Sequence, residues 1–224
     1  MSIEDLIEEN VRHRRLRGNS AEELRVIFSA VKDMETVIDI VGHGQRETMN
    51  SEFTCNGLED FVYGKSYAEK RRIVHDNMNS LVQKGRAIVV SYDTLVEMQQ
   101  SSVLHGSPIM WAEKAGKAEG RVCLNLSFGD DGYNQFVDRE KSLRLYERGT
   151  LPGLADIAEM ACKQQEKYPG VVLSGGTVDA ASAYNLVPQD VSSAKLHCTL
   201  LKVATPDGEK TVAVIYLVGI LVTA

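Results

Sequence analysis

The sequence lacks the cysteine pattern of a zinc site or of a disulfide framework. The four cysteines stand far apart, with no C-x-x-C pair and no nearby pair of histidines: Cys55, Cys123, Cys162 and Cys198. Zinc ligands usually come in closely spaced pairs, and disulfides are typical of secreted proteins. We therefore expect free thiols and a reducing, intracellular compartment such as the cytoplasm or the nucleus.

Long apolar runs and a secretory signal are also missing. Residues 1–5 are acidic and have no apolar core, so they do not have the pattern of a signal peptide. The longest apolar run, residues 212–224, is too short to cross a bilayer as a helix. This run predicts a buried strand, and the sequence indicates no contact with a membrane.

An excess of basic residues is absent as well. Lys and Arg number 25 against 31 Asp and Glu, so the net charge is -6. Proteins that bind nucleic acid usually present a basic face, and this balance counts mildly against such a partner. It does not exclude one, because net charge does not say where the charges lie. The hydrophobic content of 43% and the charged content of 25% are those of an ordinary globular protein.

Capping boxes mark the expected helix starts. Ser20 with Glu23 and Ser66 with Glu69 have the spacing in which two side chains satisfy the first backbone N–H groups of a helix. The second box opens a helix whose apolar face holds Val74, Met78, Leu81 and Val82, and which should end at Gly85.

Between these helices, residues 42–65 carry glycine, asparagine and threonine without a regular period. They predict a long connection. The chain is therefore divided into an N-terminal helical region, residues 1–65, and a main domain, residues 66–224.

A β-hairpin is predicted across residues 109–126. Ser107-Pro108 favours an extended start, and two apolar segments flank a charged turn that contains glycine. Lys114 and Lys117 stand near the tip, and Arg121 begins the second strand. Basic groups at a hairpin tip suit a polyanion, although a surface hairpin without such a role is the simpler alternative.

A single carboxylate comes after an apolar segment farther along the chain. Residues 171–173 lead into small residues, then Asp179, and Tyr184 stands five residues later. Such a carboxylate could hold a divalent metal beside a triphosphate, with the ring under a sugar. The alternative is a buried strand that runs into a turn, where Asp179 only caps the next few residues.

Taken in order, these motifs resemble the fingers and palm of the reverse transcriptases of retrotransposons. The matching residues are Ser107-Pro108, Lys114, Gly116-Lys117, Arg121, Asp179 and Ala183-Tyr184. The helix and strand predicted over residues 66–90 are similar to the family's segment ahead of the fingers hairpin. Residues 194–199, together with residues 216–219, are similar to its run from the first palm strand into the glycine motif. The resemblance implies an α+β fold, with helices and a small antiparallel sheet.

The resemblance also implies a role for each matching residue. Asp179 would be the first Mg²⁺-binding, catalytic carboxylate of the palm. Lys114 and Arg121 would grip the triphosphate of a dNTP, Tyr184 would lie beneath its sugar, and Gly219 would let template or nucleotide pack against the backbone. The implied activity is RNA-directed DNA polymerisation on an RNA/DNA primer–template.

The second half of that metal site is missing from these 224 residues. The family's aromatic-x-Asp-Asp motif is absent, and the acids beyond Asp179 are Asp190, Asp207 and Glu209. Transfer by two metal ions needs several converging carboxylates, so we expect a partial palm that is inactive alone. The alternative is a non-catalytic remnant that binds nucleic acid or protein. An apolar C-terminal strand left exposed would also allow self-association. The Gly129-Asp130-Asp131-Gly132 segment predicts a turn rather than a substitute metal motif.

Overall fold

The computed structural model describes residues 2–15, 21–27, 34–113, 120–145, 154–172 and 187–219. Within them the helices are α1 (Ile3–Arg15), α2 (Ala21–Ile27), α3 (Met34–His43), α4 (Lys65–Gln83), α5 (Tyr92–Glu97), α6 (Arg139–Leu145), α7 (Leu154–Lys167) and α8 (Val191–Ala194). The strands are β1 (Ala87–Ser91), β2 (Ile109–Glu113), β3 (Gly120–Leu124), β4 (Cys198–Thr205) and β5 (Gly208–Tyr216). The expected α+β class is therefore confirmed.

A three-stranded antiparallel sheet forms the centre of the described residues. Its strand order is β1-β5-β4, so β5 is hydrogen-bonded along both edges. Val214 of β5 lies opposite Val89 of β1 on one side and opposite Thr199 of β4 on the other. Strands β2 and β3 form a separate two-stranded antiparallel hairpin, at the position that the sequence predicts.

The sheet is covered on both faces, which explains the unbroken apolar run in the second half of β5, residues 212–216. Val214 and Tyr216 belong to a core shared with α4 and the β2/β3 hairpin. Ala213 and Ile215, which point the other way, belong to a second core shared with α1 and α5. Successive side chains of a strand alternate between faces, so a strand buried on both must be apolar throughout.

Helix α4 buries Val74, Met78 and Leu81 as predicted, but Val82 is 36% exposed and the start of the helix also differs from the prediction. Its buried residues are Tyr67, Val74, Met78 and Leu81. The predicted capping box does not form, because Gly64 is the N-cap residue and no side chain caps the helix. The Ser66 hydroxyl instead accepts a hydrogen bond from the Trp111 backbone N–H at 2.9 Å. Ser66 thus links α4 to strand β2, an interaction that local spacing does not reveal.

The expectation of an exposed C-terminal strand is wrong for the residues that the structure describes. β5 is the central strand, and residues 213–218 are buried. An edge strand offers unpaired backbone groups to another chain, whereas a central strand does not. Self-association stays a prediction, but β5 does not supply a surface for it.

None of the described helices is both long and apolar enough to cross a membrane.

Candidate functional site

Of the two predicted fingers residues, Lys114 and Arg121, the structure describes the surroundings of Arg121. It lies on β3 opposite Ala112 of β2, and its side chain is exposed. Lys114, at the expected tip of the same hairpin, lies outside the described residues. The hairpin is held to the rest of the molecule through Ser66 and through Ile109 and Leu124, which enter the core with α4. Arg121 therefore projects from a hairpin whose base is anchored.

A close contact shapes the hairpin just before Arg121. A Cβ atom at Gly120 would overlap the indole ring of Trp111 and approach the Ala112 carbonyl oxygen at 2.7 Å. Glycine therefore allows the Trp111 ring to lie across β3 at this position. The result is that the first residue of β3 is covered by an aromatic ring and the second, Arg121, is open to solvent.

Gly219 lies beside the end of the segment that carries the other predicted residues. Its backbone N–H donates a hydrogen bond to the Val187 carbonyl at 2.8 Å. Pro188 forms an antiparallel bridge with Val218. Val187 comes three positions after Tyr184 in the sequence. Tyr184 itself and Asp179 lie outside the described residues, so the structure does not test whether they meet Arg121.

The acids beyond Asp179 serve local structure. Asp190 caps α8, where its carboxylate accepts a hydrogen bond from the Ser193 N–H at 2.7 Å. Glu209 forms an ion pair with Arg71 at 2.6 Å, and the Arg71 guanidinium lowers the pKa of Glu209. Asp207 occupies the two-residue turn between β4 and β5.

The described side chains form no metal-binding cluster of their own. In the described ranges, no group of three or more His, Cys, Asp or Glu side chains is arranged to hold a metal ion. The segment from Gly129 to Gly132 is a turn rather than part of a strand pair, as predicted. Mg²⁺ binding through Asp179 therefore stays a prediction.

A buried polar cluster lies on the α4 side of the sheet, and sequence reasoning missed it. His197 Nε2 lies 3.6 Å from Glu47 Oε1, and the His197 ring packs against Tyr133 with centroids 5.2 Å apart. The His105 ring also contacts Tyr133, with centroids 6.1 Å apart. Glu47 is held in place because its backbone N–H donates to the Ser193 hydroxyl at 2.8 Å.

Burial changes the ionisation of both members of the Glu47–His197 pair. It raises the pKa of Glu47 to about 7, and the charge of Asp190 acts in the same direction. Burial lowers the pKa of His197 to about 4, and His105 contributes to that shift. The pair is therefore held as two neutral groups in the mildly acidic range. The sequence separates these residues by about 150 positions, and no spacing rule could join them.

The four cysteines are free thiols, as the sequence predicts. Cys198 is fully buried between the sheet and α1, and burial raises its pKa.

A comparison with models of known protein families found no match, and neither did a comparison with curated proteins.

Proposed function

We propose that this chain derives from the fingers and partial palm of a retroelement reverse transcriptase. It binds an RNA/DNA primer–template and does not polymerise DNA by itself. The observation that carries the proposal is the hairpin with Arg121 at the start of its second strand. The hairpin is anchored on α4, the helix that precedes β1, in the order that the resemblance implies.

A second observation supports the same proposal. The resemblance assigns the segment with Asp179 and Tyr184 to the palm and residues 216–219 to the run into its glycine motif. The Val187 carbonyl accepts a hydrogen bond from Gly219, and Pro188 bridges Val218. The end of that segment therefore lies against the stretch that would be the glycine motif.

The second candidate function is a non-catalytic remnant that binds nucleic acid or protein. It is favoured by the local roles of Asp190 and Glu209, which cap a helix and form an ion pair. Both candidates agree that the isolated chain should not extend a primer. They differ in whether a dNTP still binds, because a remnant has no use for the residues that grip a triphosphate.

The test measures binding of a fluorescently labelled RNA/DNA primer–template to the purified chain at low salt. The complementary dNTP is then added, and replacement of Arg121 by glutamate should weaken binding of that dNTP by about fivefold or more, since an attraction to the triphosphate becomes a repulsion. The matched control is Arg12→Glu on α1, a surface arginine with the same change of charge and a side chain that is 70% exposed. The control should change affinity by less than about twofold.

Three outcomes decide between the two candidate functions. Primer–template binding that tightens when the complementary dNTP is added supports the polymerase-derived proposal. Arg121→Glu should weaken this tightening, and Asp179→Ala should abolish it. Binding without a response to dNTP favours the remnant. Absence of binding, or equal losses in both arginine variants, overturns the proposal. Measurable primer extension that Asp179→Ala abolishes would show that the chain is active, against our expectation.

A further inference from the structure

A small polar cavity opens between three loop segments. Its volume is about 180 Å³, and it lies between residues 56–62, residues 105–108 and the turn at residues 128–132. Sites for drug-sized ligands usually measure about 300 Å³ or more. This cavity is therefore the size of a single side chain rather than of a large cofactor.

The walls of the cavity are fixed by the amide of Asn56. Its Oδ1 accepts a hydrogen bond from the Gly106 N–H at 2.8 Å, and its Nδ2 donates to the Gly106 carbonyl at 3.0 Å. A Cβ atom at Gly106 would lie 2.8 Å from Leu58 Cδ2 and 2.9 Å from Phe61 Cδ2. The two segments therefore pack without room to collapse, so the cavity is already formed before any ligand arrives.

The polar groups of the cavity are suited to a cation that donates hydrogen bonds. Asp60 and Asp131 line it, and among the described residues no lysine or arginine does. Ser107, which is only 3% exposed, also lines the cavity. The Asp131 carboxylate receives only a long contact, 3.5 Å from Asn56 Nδ2. Two carboxylates thus remain open to a ligand in this cavity.

The aromatic walls narrow the choice of cation. Phe61 and Phe128 both line the cavity, and Phe128 is 40% exposed at its rim. A guanidinium group is planar, stacks on aromatic faces and offers a fork of N–H donors that matches a carboxylate. An ammonium group is a compact point charge and gains less from such walls. A phosphate would be repelled by both acids, so the site is distinct from any nucleic-acid surface.

We propose that this cavity binds the guanidinium group of an arginine side chain presented by a partner protein. The apolar rim, with Val62 at 56% exposure beside Phe128, would lie against the partner's surface around that arginine. Burial of such a rim excludes water from the charged contact and strengthens it. This inference does not depend on the polymerase-derived function.

The experiment titrates the purified chain with N-acetyl-arginine amide and monitors backbone amide shifts by NMR. Saturable shifts are expected in residues 56–62 and 128–132. N-acetyl-citrulline amide, which has nearly the same shape but no charge, should bind about tenfold more weakly. Asp131→Asn should reduce the affinity for the arginine probe about fivefold, because a charge-assisted bond becomes a neutral one. The matched control Asp207→Asn, in the exposed β4–β5 turn, should leave affinity unchanged.

Each result supports or overturns the proposal. If Asp131→Asn does not fold, Phe128→Ala is the alternative variant and should weaken binding about threefold through loss of the ring face. Three results would overturn the site: shifts that do not saturate, equal binding of the citrulline probe, or equal effects of Asp131→Asn and Asp207→Asn. A short peptide with one central arginine should bind at least as tightly as the single amino-acid probe. Weaker binding of the peptide would overturn the protein partner and leave a free small cation.

Discussion

At the residue scale, the ionisation of Glu47 should affect the stability of the fold. Its pKa is about 7 in the folded protein, above the ordinary value of 4.5, because the carboxyl group is buried. The folded state therefore binds this proton more tightly than the unfolded state does. The free energy of unfolding should then fall as the pH rises from about 4.5 through 7. A pKa shift of this size changes the free energy of unfolding by at most about 3 kcal/mol.

We expect Glu47→Gln to remove this dependence. The native protein should lose about 2 kcal/mol of unfolding free energy between pH 5 and pH 8 that the variant does not lose. Urea unfolding at the two pH values measures the difference. Glu52→Gln changes an exposed glutamate in the same connection and is the matched control. The same shift in both variants, or none in Glu47→Gln, would contradict the explanation.

Prediction of single residues from the sequence succeeds where the signal is local and fails where it is not. Arg121 can be assigned to the start of a hairpin strand because proline, glycine and apolar residues mark that hairpin within about 20 positions. The Glu47–His197 contact is not predictable. Its two members come from a loop and a strand end far apart in sequence, and only the folded sheet brings them together.

At the scale of elements, the end of α4 depends on one glycine. Gly85 has φ of 65°, and its N–H donates to the Val82 carbonyl at 2.9 Å, while the Arg86 N–H donates to the Leu81 carbonyl at 2.8 Å. This is the left-handed helix end that favours glycine, because a Cβ atom strains it. β1 begins two residues later, so this turn sets the direction of the first sheet strand.

Gly85→Ala should therefore lower the free energy of unfolding by about 1 kcal/mol. The matched control is Gly42→Ala. Gly42 lies within α3, and a Cβ atom there would meet nothing within 4 Å. The control should raise stability by about 0.5 kcal/mol or more, since alanine is the better helix former. Denaturant unfolding of both variants provides the measurement, and a change of the same sign in both would contradict the assignment of the helix end.

Most elements can be derived from local patterns, whereas their arrangement cannot. Helix α4, strand β1 and the β2/β3 hairpin are each predictable from periodicity and turn residues. The sequence also indicates that the apolar run after residue 212 forms a buried strand. It does not indicate that this strand is central, because strand order depends on pairing between distant segments. The capping role predicted for Ser66 fails for the same reason, since Trp111 lies 45 positions away.

At the scale of the whole molecule, the central sheet connects the N-terminal helix to the hairpin. Ile3, Ile7 and Val11 of α1 pack in the core that contains Ala213 and Ile215 of β5. The hairpin contributes to the core on the opposite face, which holds Val214 and Tyr216. α1 therefore supports one face of a sheet whose other face supports the hairpin. The predicted division of the chain at residue 65 stays a prediction, and it can be tested through this connection.

We expect Ile7→Ala to destabilise the hairpin together with the helix that carries the substitution. Ile7 is 0% exposed, so the cavity should cost about 2–4 kcal/mol. Trp111, the single tryptophan of the chain, reports on the hairpin by fluorescence, while far-UV circular dichroism reports on the helices. If residues 1–65 and 66–224 unfold as one cooperative unit, both signals should shift to lower denaturant by the same amount. Val26→Ala in α2, where the side chain is 72% exposed, should shift neither signal. A loss of helical signal that leaves the Trp111 transition unchanged would instead support two independent domains.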